Sequence, residues 1–352
     1  MNPRHLGILL FIFTELTGCS ANWHQPSWLR HFFLTVSTDG AEIRTYQVAD
    51  VGGFVQLATT VVSPADANLV GRLSSNGKFF YYGSANHNSI SQATVGSNLV
   101  LSLATTTVTK SSNTGAIAIH PSGRYLVAVS ISGTNSISVI SINPTTGELG
   151  SVVSEKTLGG VSSANQVRIH PQGDLVYAGS SSAWKGFRID LNTGELTDLG
   201  VIGGMNTSTF VISPDGNFLF AGNRTTGNGN LAAYRINSAT GVLTQTGATQ
   251  SLGPVMTAIG VVADQKILLA YSNLNHVIGS YRIADDGSLT ALTTLSHPFR
   301  FFVHPWVDAL YDSKGTSFNV DAATGVLSII DQQSSSNPNI LTYGKSVIPI
   351  SN

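Results

Sequence analysis

One pattern recurs along this chain and narrows the folds open to it. An apolar, β-rich run ends in a short turn, and a second apolar run follows. A small-residue loop leads to a third run, and a tight turn leads to a fourth. The pattern is plain in "IAIHPSGRYLVAVSISGTNSISVISINPTTGELG" from Ile117, "VRIHPQGDLVYAGSSSAWKGFRIDLNTGELT" from Val167 and "SPDGNFLFAGNRTTGNGNLAAYRINSATGVLT" from Ser213. Further units begin at Arg72, Ile259 and Phe301. The turn glycines Gly77, Gly123, Gly173 and Gly216 lie 46, 50 and 43 residues apart, the spacing of a four-stranded propeller blade. In the Pro-x-Gly turns, proline presets φ and glycine accepts a positive φ. No segment sustains a helical period.

Six units are complete and the seventh is split. "HFFLTVSTDGAEIRTYQV" and "GGFVQLATTVV" supply its second, third and fourth strands, and "GKSVIPIS" at the C-terminus supplies the innermost. Joining the chain ends in one blade closes the ring and leaves only short, protected edges. The expected fold is therefore all-β: a seven-bladed β-propeller with four antiparallel strands per blade, the last closed by N- and C-terminal strands. Six or eight blades also fit the count, because the last units are degenerate.

The N-terminus reads as export chemistry. "MNPRHLGILLFIFTELTGC" has a basic start, an apolar run from Leu6 to Phe13, and then Leu16-Thr17-Gly18-Cys19. The run is too short to span a bilayer and fits a secretory signal. Its end resembles the lipobox of bacterial lipoproteins, which implies cleavage before Cys19 and acylation of its thiol. Cys19 is the only cysteine, so no intramolecular disulfide can form. An ordinary secretory signal with an incidental cysteine is the other reading. The expected organisation is residues 1–18 as signal, 19–31 as tether and 32–352 as propeller. Ser20 after the cysteine points to the outer membrane within the cell envelope. Charged residues make up 11% of the chain and the net charge is −1, against a usual charged fraction of about 25%; global charge gives no reason to expect nucleic acid.

The runs "HPSGRYLVAVS", "SISVISINPTTGEL" and "SPDGNFLFAGNR…LAAYRINSATGVLT" resemble the seven-bladed lactonase family, which includes 6-phosphogluconolactonases and carboxymuconate cyclising enzymes. The resemblance covers nearly the whole mature chain. It implies a His before one inner strand, an Asp after the following strand, a Glu shortly before "SPDG", and the arginine of "NR". At the matching positions this chain has Asn113, Ser130, Thr209 and Arg224. Lactone hydrolysis needs a base or activated water and donors for the developing oxyanion. Of these, the resemblance leaves one donor, Arg224.

Propeller topology places the loops between second and third strands on the same face as those entering each inner strand. Candidates for that face are Arg72, His87, Lys185, Arg224, His276, His297, Arg300, Asp312, Lys314 and Lys345. Among them His297, Arg300, His276 and Asp312 form the densest group, in which a His base, an Arg clamp and an orienting carboxylate are chemically sensible. With Arg224 they are the candidate catalytic residues; Arg72, Asn113, Lys185, Thr209 and Lys345 are candidate ligand contacts. Solvated loop charges placed by chance are the alternative. The opposite turns carry Asp174, Asp215, Asp264, Glu148, Glu195, Asp285 and Asp286, so a basic loop face and an acidic turn face are expected. His120, His170 and His304 each precede proline and are expected to cap turns; Trp184 is expected in blade packing. No metal spacing, phosphate-cradling loop or Gly-x-Ser-x-Gly elbow is present, and no cofactor is expected. The chain thus reads as a monomeric, lipid-anchored propeller whose basic face binds a small anion, a glycan or an envelope or host protein without catalysis. The alternative is a lactonase-type hydrolase acting on an anionic sugar lactone.

Overall fold

The computed structural model describes residues 32–36, 42–48, 54–61, 69–74, 76–84, 86–96, 100–110, 113–130, 135–161, 163–180, 183–203, 207–223, 229–262, 266–299, 301–303, 309–312, 316–331 and 347–349. The described strands form seven four-stranded antiparallel sheets. Blade 1 is the split one. Its order from inside out is Val347–Pro349, Phe32–Val36, Glu42–Val48 and Phe54–Val61. Leu34 stands opposite Ile348 and Thr35 opposite Val347. The C-terminal strand is thus innermost, as the sequence pattern predicts, and six or eight blades are ruled out.

The inner strands of blades 2 to 7 are Leu69–Leu73, Thr114–Ile119, Gln166–Ile169, Thr207–Ile212, Met256–Val262 and Phe301–Val303. Each packs beside the inner strand of the blade before it, beginning with Val347–Pro349 against Leu69–Leu73. The second strands Phe79–Ser84, Tyr125–Ser130, Leu175–Gly179, Phe218–Asn223 and Ile267–Ser272 are buried throughout. Neighbouring blades cover both faces of such a strand, so it reads as a continuous apolar run rather than an alternation. The outermost strands, such as Leu243–Ser251, are largely exposed and rich in Thr and Gln. Trp184 is 1% exposed, with its ring 5.6 Å from Phe210 and 5.4 Å from Tyr234 in the next blade.

The blades are tied to one another at the turn side by a repeated set of contacts. His120 holds Ser122 through Nδ1 at 2.7 Å, and its Nε2 meets the Gly173 carbonyl of the next blade at 3.0 Å. His170 repeats the step, with Nε2 2.9 Å from the Gly216 carbonyl. Since a carbonyl only accepts, Nε2 carries the proton in both rings. Gly173 and Gly216 have φ of 87° and 76°, and a Cβ at either would run into the His ring of the preceding blade. Glycine is therefore needed there twice over. Tyr81, Tyr125 and Tyr177 donate from their hydroxyls to Gly147, Asn192 and Gly241 carbonyls in the next blade. Arg188, Arg235 and Arg282 reach carbonyls of the next blade's outer turn.

Candidate functional site

On the loop face, the last residue of the second strand closes the loop behind it in blades 3, 5 and 7. Ser130 Oγ accepts from the Ser136 N–H at 2.6 Å, and Asn223 Oδ1 accepts from the Asn230 N–H at 2.9 Å. Asp312 Oδ1 does the same for the Thr316 N–H at 2.8 Å. In these three blades a short polar side chain gives an acceptor to the N–H that enters the third strand. Asp312 differs in having a second oxygen. Its Oδ2 lies 2.8 Å from Nε2 of His297. The carboxylate can only accept, so His297 donates from Nε2.

His297 sits at the corner where the outer strand of blade 6 turns inward. Its backbone N–H donates to the His276 carbonyl at 2.6 Å; Lys110 and Leu158 make the corresponding bonds to Asn88 and Asn135. Its ring lies edge-on to Phe318 at 4.8 Å and to Phe299 at 5.9 Å. His297 is 6% exposed and Asp312 0%. The pair is therefore wedged into the seam between blades 6 and 7. His276 holds a left-handed turn at φ 52°, with Nδ1 3.3 Å from the Tyr271 hydroxyl. Three of the sequence-derived catalytic candidates thus come together, two through side chains and one through its backbone. The other two, Arg224 and Arg300, lie outside the described residues, as do Cys19, Lys314 and Lys345.

The ligand-contact candidates are dispersed. Thr209 is buried opposite Gly222 near the loop end of its inner strand. Asn113 is half-buried just ahead of the inner strand of blade 3. Lys185 is not on the channel: it stands on a third strand, 2.6 Å from Asp198 and 3.1 Å from the Thr157 carbonyl. That contact lowers the Asp198 carboxyl against the opposing effect of burial. Lys110, which sequence reasoning passed over, is 4% exposed at the corner equivalent to His297. Burial pushes its ammonium down to about 8, with Glu155 pulling the other way.

Arg72 stands away from the loop face. It is the penultimate residue of its inner strand, at the turn side, and lines an open cleft of about 320 Å³ with Arg168, His120 and Pro121. Burial, and then the charge of Arg168, lower the Arg72 guanidinium to about 9; burial lowers Arg168 to about 10. Arg168 was legible only as a repeat of Arg72, five residues ahead of its turn glycine. The turn side is also not the uniformly acidic face that the acid residues suggest. Asp174 pairs with Arg188 at 2.5 Å and Glu195 with Lys156 at 2.9 Å, and Asp215 holds its own turn through Ser213 and Asn217. Asp264 and His304 lie outside the described residues. Among the described residues no three His, Cys, Asp or Glu side chains are grouped to hold a metal ion.

The model of the family described as "Lactonase, 7-bladed beta-propeller" matches residues 40–165 and 176–305. No curated protein matches the chain. A solved candidate 6-phosphogluconolactonase from Bacteroides fragilis is similar, with 20% identity, a TM-score of 0.72, and coverage of 87% of this chain and 96% of that one. The periplasmic gluconolactonase PpgL of Pseudomonas aeruginosa is similar with 15% identity, a TM-score of 0.71, and coverage of 86% and 95%. A functionally unknown protein from Desulfotomaculum acetoxidans follows, with 14% identity, a TM-score of 0.69, and coverage of 91% and 99%. At these identities the likeness is one of fold.

Proposed function

The chain belongs to the seven-bladed β-propeller lactonase family, and on that premise we propose that it is a lipid-anchored envelope propeller that binds a small anion without hydrolysing lactones. The observation that carries the reading is the double use of Asp312. One oxygen performs the loop closure that Ser130 and Asn223 perform elsewhere, and the other holds His297 in the blade seam. A buried pair serving the frame explains both residues without chemistry. At the three positions where the family resemblance expects a His, an Asp and a Glu, Asn113, Ser130 and Thr209 are neutral and cannot act as general base near neutral pH. The anchor rests on Cys19, the single cysteine, at the end of the lipobox-like run. Replacing Cys19 with Ser should move the protein from the membrane to the soluble fraction; unchanged membrane recovery overturns that part.

The test of function is a titration of purified protein with gluconate and 6-phosphogluconate by calorimetry, alongside a hydrolysis assay on the corresponding lactones. Binding without turnover supports the reading; turnover overturns it. A second reading, lactonase activity, is favoured by one observation: the Asp312 carboxylate orients the His297 ring through Nε2, as an orienting carboxylate does for a general base. The printed activity of the Pseudomonas neighbour points the same way. His297→Gln separates the two, since only in the second reading does it abolish a lactone-dependent rate.

A further inference from the structure

The turn glycines Gly77, Gly123, Gly173 and Gly216 are preceded by Asn76, Ser122, Gln172 and Asp215. In blades 2 and 5 the turn is built in the same way. Ser74 Oγ donates to Asn76 Oδ1 at 2.7 Å, and Ser213 Oγ donates to Asp215 Oδ1 at 2.5 Å. Each of these oxygens also accepts the N–H two residues on, from Lys78 and from Asn217, both at 3.1 Å. Each serine hydroxyl takes the first N–H of the second strand, from Phe79 at 3.0 Å and from Phe218 at 2.9 Å. The glycine N–H closes on the serine carbonyl, at 2.9 Å in blade 2 and 2.8 Å in blade 5, with φ of 69° and 76°. Blade 5 thus shows that this turn holds an aspartate in the place where blade 2 holds an asparagine.

The asparagine brings a reaction of its own. Asn76 is exposed, and bonding its Cγ to the Gly77 nitrogen closes a five-membered ring. Glycine has no Cβ to hinder that closure. The two donors on Oδ1 stabilise the oxyanion that forms when a nitrogen attacks Cγ. Gln172 would need a larger ring, and Ser122 has no side-chain carbonyl. The bond from Gly77 to Ser74 must open first, and an exposed turn opens locally more readily than the buried strand behind it. We propose that Asn76 is a self-modification site, which deamidates to aspartate and isoaspartate with water as the only co-reactant. The Gly77 nitrogen gives its proton to solvent and bonds to Cγ. The bond from Cγ to Nδ2 breaks, and that nitrogen leaves as ammonia. Water then opens the cyclic imide. If the Gly77 nitrogen parts from Cγ, the product is aspartate; if it parts from the main-chain carbonyl carbon, the product is isoaspartate. The aspartate should keep the turn, as Asp215 does, and it adds a negative charge two residues from the exposed Lys78. Isoaspartate lengthens the main chain by one carbon ahead of Gly77 and should cost the turn its bond to Ser74.

The test is peptide mapping of the folded protein after incubation at neutral and at alkaline pH, with a urea-unfolded sample alongside. Chromatography and mass spectrometry separate the asparagine, aspartate and isoaspartate forms of the Asn76 peptide. Both products should accumulate in the folded protein, and faster at alkaline pH, because the attacking nitrogen must lose its proton. Asn76→Gln should abolish the conversion at that position. Asn76→Asp should melt with wild type, since it supplies the product directly. Conversion of Asn76 in urea but not in the folded protein overturns the proposal, because the turn then protects the residue. So does conversion confined to other asparagines, or a rate at Asn76 that does not rise with pH. An Asn76→Asp variant that melts well below wild type would overturn the claim that the turn accepts the product.

Discussion

Removing the Asp312 side chain should damage the fold, whereas removing only its charge should not. Asp312 is fully buried and joins two groups: the Thr316 N–H at 2.8 Å and His297 Nε2 at 2.8 Å. Asp312→Ala leaves the Thr316 N–H buried and unpaired, which costs about 1–3 kcal/mol. It also strips His297 of a charge-assisted bond worth about 1.5–3 kcal/mol. The two are neighbours and not fully additive, so a loss of roughly 3–5 kcal/mol follows. Asp312→Asn keeps an oxygen for Thr316 and, if His297 changes tautomer, keeps a bond to the ring as well; about 1 kcal/mol is then lost. At about 2–4 °C per kcal/mol for a chain of this class, the alanine variant should melt roughly 6–20 °C lower and the asparagine variant a few degrees lower. Urea unfolding read by tryptophan fluorescence measures the difference, with the buried Trp184 as one reporter. An alanine variant within about 1 kcal/mol of wild type would refute the assignment of Asp312 to the frame, and an asparagine variant as damaged as the alanine would refute the division between side chain and charge.

Gly216→Ala should lower stability by about 2–3 kcal/mol: φ is 76° and the new Cβ meets the His170 ring, breaking its bond to the Gly216 carbonyl. A melting curve superimposed on wild type would refute the blade-to-blade role of His170. Lys110 carries a pH signature. Its folded pKa of about 8 lies below the ordinary 10.5 because of burial. Below about 8 both states are charged and the burial cost is fully present; between about 8 and 10.5 the unfolded chain binds the extra proton and stability rises with pH, by on the order of 3 kcal/mol at most. Lys110→Met should remove that part of the rise in urea unfolding at pH 8 and 9.5, and an identical rise in both proteins would refute it. Truncation before Val347 should expose the edge of Phe32–Val36, broaden the unfolding transition and promote association, both visible by light scattering and melting. A truncated chain as monomeric and cooperative as wild type would contradict ring closure by that strand.

The strands, the seven-fold count and the split blade were legible because each rests on local chemistry: buried second strands read as apolar runs, and the Pro-x-Gly and Thr-Gly turns mark their ends. Even the placement of "VIPIS" innermost follows from counting which strand blade 1 lacks. What was not legible depends on contacts between blades. Nothing in "HPSG" or "HPQG" says that each His reaches the next blade's glycine carbonyl. Arg72 reads as a loop-face candidate until its register shows it beside the turn. Lys185 reads as a free cation until Asp198 is seen at 2.6 Å from an adjacent strand. Asp312 and His297 are near in topology by inspection, but the shared duty of Asp312 is visible only beside Ser130 and Asn223.

The central claim is that the loop face lacks lactonase chemistry. Its most direct test is the initial rate of hydrolysis of 6-phosphogluconolactone and glucono-lactone by the full mature protein, measured against spontaneous opening. The account predicts no rate above background. Any rate above background would contradict it, and loss of that rate in a folded His297→Gln variant would assign it to His297.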